Sequence, residues 1–160
     1  MGFSTQLLHG HAKRGNLERV MHGIYRIARF PPSPHEDLVV IWLWSAQEGV
    51  FSHETALSLH DLSDAPPAKI HVTLPLSASR RRQIPAGVVV HYGDIGAEER
   101  QWLGTLQVTT PARSICDVAK AHGDIEHVSA AIDQGIRRGL FSLVDVVAAA
   151  VVVAEGLGVT

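Results

Sequence analysis

One cysteine in 160 residues leaves no partner for an internal disulfide, so the fold has to hold without covalent cross-links, as expected in a reducing cytosol. That residue, Cys116, falls in an amphipathic stretch, where a buried, inert thiol is expected rather than a nucleophile. No apolar run reaches the ~20 residues that a membrane span needs. The best candidate, 143–154, is interrupted by Asp145 and reads as a buried or partner-covered helix. The first residues hold no apolar segment of the secretory kind. A cytoplasmic location without membrane attachment is therefore expected. Internal repeats, low-complexity tracts and both types of glycine-rich phosphate loop are missing as well.

Catalytic patterns are equally scarce. Ser52, His53 and Glu54 are triad residue types, but neighbours in one helical turn point in different directions and cannot relay a proton. Ser52 is better explained as a helix cap. Asp94, Glu98 and Glu99 lie in a polar stretch with no apolar pocket to split their pKa values, and no acidic nuclease motif occurs. Ten histidines invite a metal, and three pairings arise. They are His9 with His11, His53 with His60 one helical face apart, and His71 with His91 on neighbouring strands. None is joined by the nearby cysteine or carboxylate pattern of a structural zinc site. The expectation is no catalytic residue, no metal, no cofactor and no enzymatic activity.

What is present is a globular composition, 46% hydrophobic and 19% charged, with enough chain for a proper core. The net charge of −2 is unevenly spread: residues 1–30 carry +4 and the remainder −6. A basic arm on an acidic body suggests a polyanion-binding element attached to something with another task.

The arm opens with a short helix over 4–13, capped by Ser4 or Thr5, and continues in a hairpin over 16–27 that turns at His22-Gly23. A polar helix followed by a basic hairpin is how the back half of a winged helix-turn-helix looks. In that reading Gln6, His9, His11, Lys13 and Arg14 face the DNA groove, and Arg19, His22 and Arg26 sit on the wing. The plain alternative is a solvated basic hairpin that only edges the next domain. Pro31, Pro32 and Pro34 mark a boundary.

Beyond them, 35–62 reads as two helices. The first, about 34–47, is apolar around most of its circumference, with Trp42 and Trp44 as core or interface anchors, and Gly49 breaks it. The second starts at a Ser52 cap and buries Ala56, Leu57, Leu59 and Leu62. Strands are expected at 69–74, 88–92 and 106–108, with Arg80, Arg81 and Arg82 on the loop between the first two. Three guanidinium groups there either grip phosphates or partner carboxylates, or merely solvate the loop. Thr110-Pro111 opens a helix, and two more follow at 125–139 and 142–154.

The ordered segments GNLERVMHGIYRI, HEDLVVIWLWSAQEGVFSHETALSLHDLSDAPPAKIHVTLP, IPAGVVVHYGDI, ERQWLGTLQVTTPARSICDVA and QGIRRGLFS closely resemble the AbiEi-like antitoxins of bacterial toxin–antitoxin operons, over about 17–146. The resemblance implies an N-terminal winged helix-turn-helix and a C-terminal α+β domain. It implies a cognate nucleotidyltransferase toxin, inhibited in some systems by direct contact, and repression of the protein's own operon in many. Members of that family place two further helices before the one at 4–13, where three residues stand here. A displaced start, a reduced grip on DNA, or a core completed by homodimerisation would each account for the difference.

The expected fold is thus α+β: a truncated winged-helix-like element at 1–30, then a mixed helix and small-sheet antitoxin domain at 35–160. The expected function is neutralisation of a nucleotidyltransferase-like toxin by binding and active-site occlusion. Transcriptional autorepression at operator DNA is the alternative. Arg80, Arg81 and Arg82, with Arg137, Arg138 and Phe141 on the last helices, are the expected toxin contacts, argued from the residues alone.

Overall fold

Alternation of apolar and polar residues along 69–74 and 88–92 puts two strands side by side, and they anchor the larger part of a mixed α+β fold. The computed structural model describes residues 4–78, 83–121 and 124–155. The chain divides into two compact units, Met1–Gln47 and Glu48–Thr160.

In the first unit, helix α1 (Thr5–Lys13) is capped by Ser4, whose hydroxyl accepts from the Leu7 N–H at 3.3 Å. Gly15, at φ +73°, lets the chain leave the helix. Strands β1 (Leu17–Met21) and β2 (Ile24–Ile27) form the antiparallel hairpin, with Glu18 opposite Arg26 and a bulge between Arg19 and Met21. Gly23, at φ +77°, supplies the turn.

Helix α2 (Glu36–Trp44) follows, with Leu38, Val40 and Ile41 buried and Leu43 40% exposed. It ends earlier than Gly49 suggests. Ala46 and Gln47 adopt φ +58° and +65°, and their N–H groups bond back to the Leu43 and Trp42 carbonyls. Two non-glycine residues thus make the left-handed stop. The proline run leads into the helix, while the compact unit continues through it to Gln47.

The second unit is built on a five-stranded mixed sheet. Its strands are β3 (Val50–Phe51), β4 (Ile70–Leu74), β5 (Val88–Tyr92), β6 (Arg100–Leu103) and β7 (Leu106–Thr109), in the order β5-β4-β3-β7-β6. β4 runs parallel to β5, β3 antiparallel to β4 and parallel to β7, and β6 antiparallel to β7.

Among the described residues, four α-helices complete it: α3 (His53–Leu59), α4 (Pro111–Lys120), α5 (Ile125–Arg137) and α6 (Leu143–Glu155). Thr110 caps α4 with proline at its start, as expected. Leu57, Leu62, Ile115, Val118 and Ala131 form a buried cluster, each large side chain contributing about 1.5–3 kcal/mol. Val128, Ile132 and Phe141 close over it. Cys116 is free and buried, and burial raises its thiol pKa, in keeping with an inert role. No helix among the described residues is long and apolar enough to cross a membrane.

Candidate functional site

Three imidazoles that are far apart in sequence meet on one face of the sheet. His71 lies on β4, His91 on β5, and His53 is the first residue of α3. The parallel register sets Thr73 beside His91 and His71 beside Val89. His71 Nδ1 and His91 Nε2 are 3.0 Å apart. The His53 ring stacks on His91 with centroids 3.7 Å apart and planes 12° from parallel.

Ser52 explains how His53 gets there. Its hydroxyl caps no helix N–H; it lies 2.8 Å from Thr73 Oγ1 and 2.9 Å from His53 Nδ1, all buried. The expected capping role is therefore corrected: sheet pairing brings Thr73 closer to this hydroxyl than any free N–H of α3. His53 itself sits at φ +53°, a conformation unusual for a residue with a Cβ, and the ring is directed onto the strands. Glu54 is next in chain, and its Oε2 stands 3.3 Å from His71 Nε2.

Electrostatics keep these rings neutral. Burial, then the neighbouring His91 and His71, push His53 down to about 3. Burial also lowers His71, against the pull of Glu54, and lowers His91, helped by His71. Three uncharged nitrogens with lone pairs, beside one carboxylate, make a donor set suited to a cation rather than to an anion.

His60 does not join them. It is the residue after α3, its Nε2 lies 2.7 Å from the Thr109 carbonyl, and burial lowers its pKa. The His53–His60 pairing on one helical face fails because the helix stops at Leu59. His71 and His91 face each other as their strand positions indicated. The contribution of His53 escaped sequence reading, because a left-handed backbone at a helix start has no periodic signature.

A second polar knot is structural. Arg113 on α4 is bonded to Glu99 at 2.6 Å and to Asp117 at 2.8 Å, all largely buried. The Asp117 and Glu99 contacts raise the Arg113 pKa against burial, and burial raises Asp117 against the pull of Arg113.

The expected contact residues separate into groups. Gln6, His9, Lys13 and Arg14 are exposed on or just after α1, and His11 is half-buried. His9 also meets the Tyr25 ring edge-on at 6.4 Å. On the hairpin, Arg19 is bonded to His22 at 2.7 Å. Arg26 is held by Glu18 at 2.7 Å and Glu36 at 3.3 Å, and both bonds raise its pKa. Arg26 thus ties the hairpin to α2 instead of standing free for phosphate.

Arg80, Arg81 and Arg82 lie outside the described residues. Arg137 is exposed, its Nε donating to the Asp133 carbonyl. Arg138 donates to the His60 and Asp61 carbonyls at 2.9 and 2.8 Å, closing the end of α3. Phe141 belongs to the core: a Cβ added at Gly135 would overlap its ring. Phe141 is half-buried: it packs on the core where that glycine leaves room, and it also lines the cleft beside α6.

No protein-family model matches the chain, and no curated protein matches it.

Proposed function

We propose that the chain is a non-enzymatic, cytoplasmic antitoxin whose Glu48–Thr160 unit binds a nucleotidyltransferase-like toxin and covers its active site. The observation that carries this reading is α6. Its residues Leu143, Val144, Val147, Val151 and Val152 are 62, 75, 63, 50 and 45% exposed. An apolar helix face of that extent in water is a usual mark of a surface that a protein partner covers. It borders a cleft of about 520 Å³ that Arg113, Phe141 and Ala149 also line, a concavity into which a partner side chain fits. The exposed Arg137, at the end of α5, adds positive charge to the unit. The resemblance of the ordered segments to AbiEi-like antitoxins is what suggests the choice of partner.

Autorepression through the first unit is the second reading. It is favoured by Gln6, His9 and Lys13, exposed and three or four residues apart on α1, hence on one face. A winged-helix reader would lay that face in the major groove and the hairpin on the backbone.

Co-expression with the neighbouring gene product, followed by co-purification, tests the main reading. The wild-type chain should hold the toxin. The variant V144E/V147E/V151E should lose it at unchanged melting temperature. Rescue of growth without any association would sink direct occlusion. In the same assay K13A/R14A/R19A should neutralise normally, while steep weakening of operator binding by added salt would mark the DNA role.

A further inference from the structure

The ring nitrogens of His53, His71 and His91 that can act as ligands all lie within 4.8 Å of one another. Zinc bound to imidazole at ~2.0–2.1 Å in a tetrahedron sets its nitrogens about 3.3 Å apart, so no separation here has to close by more than roughly 1.5 Å. His71 Nδ1 and His91 Nε2, at 3.0 Å, are already near that spacing. A turn of the stacked His53 ring brings the third nitrogen to them.

The surroundings settle which nitrogens are available. Ser52 Oγ takes the Nδ1 side of His53, and Thr73 Oγ1 holds Ser52 in turn, leaving His53 Nε2 as the ligand atom. Glu54 Oε2 takes the Nε2 side of His71, leaving Nδ1. A hydroxyl beside His53 and a carboxylate near His71 are outer-shell groups of the kind that metal-bound histidines use to fix tautomer and ring angle. The His71 side chain is 18% exposed, which gives a cation a way in. Left-handed backbone at His53, which costs about 1–2 kcal/mol, turns its ring onto the strands.

We propose that His53, His71 and His91 bind one divalent transition-metal ion of the zinc class, with Ser52 and Glu54 as the residues that orient the ligands. Three neutral imidazoles without thiolate select zinc, cobalt, nickel or copper over magnesium and calcium. Water supplies the fourth position. Such an ion ties the edge strand β5 and its neighbour β4 to the start of α3. None of these residues lines the cleft beside α6, so this inference holds or fails independently of the toxin reading.

The test uses the full chain without an affinity tag, with Co²⁺ as the optical probe and Zn²⁺ in calorimetry. The wild-type protein should take up one equivalent of each, develop the visible absorption of four- or five-coordinate cobalt, and melt at a higher temperature with zinc. H71A and H91A should weaken binding at least about 100-fold, E54Q about 10–100-fold, and H127A not at all. Because the wild-type measurement needs no variant to fold, it decides alone. Less than one equivalent of cobalt at tens of micromolar protein, or uptake that persists in H53A/H71A/H91A, overturns the site.

Discussion

His60 shows how one buried side chain makes stability depend on pH. Its ring holds the Thr109 carbonyl at 2.7 Å, and burial lowers its pKa below the ordinary value near 6.5. The folded chain therefore binds fewer protons here than the unfolded chain. This contribution is fully present above the unfolded pKa and is lost as pH falls below it, with a slope of up to about 1.4 kcal/mol per unit. H60Q keeps an N–H for Thr109 and cannot titrate. Urea unfolding between pH 7.5 and 5 should give a flatter dependence for H60Q than for the wild-type chain; equal slopes would place the effect elsewhere. Residue types alone could not separate this histidine from His53. One caps a helix and the other starts it, and only tertiary contacts distinguish the two.

At the scale of elements, packing between α5 and the chain that follows rests on a missing side chain. Gly135 is buried in α5, and the Phe141 ring occupies the place of its Cβ. G135A would force the ring out of the core and should destabilise by about 1–3 kcal/mol in denaturant titration, despite the better helix propensity of alanine. F141L in the same background should recover part of the loss.

Legibility also divides by element. The strands at β4, β5 and β7, the Thr110-Pro111 start of α4 and the hairpin turn at Gly23 all carry local signals of alternation, capping or positive φ. β3 has two residues, too few to alternate, and β6 is an edge strand with Trp102 57% exposed, so neither announces itself. The stop after α2 was hidden because Ala46 and Gln47, not a glycine, take the left-handed turn. Of the candidate cation site, the facing pair His71 and His91 was legible from strand position, whereas the redirected Ser52 hydroxyl and the turned His53 were not.

On the scale of the whole molecule, a basic arm of +4 and a body of −6 fall largely into two compact units. In the second unit, the centre of the sheet is its shortest member. Val50 pairs with Thr73, and Phe51 pairs with Val72 on one side and Val108 on the other. A chain ended at residue 93 would keep β3, β4 and β5 but leave Phe51 with one side bare. It should fail to unfold cooperatively by circular dichroism and should scatter light at micromolar concentration.

The same two residues govern timing during synthesis. Until Thr109 has left the ribosome, the edge of Val50–Phe51 meant for β7 has no strand to receive, and the half-made sheet is open to any extended segment nearby. The interval between translating Phe51 and translating Thr109 is a window of vulnerability set by topology.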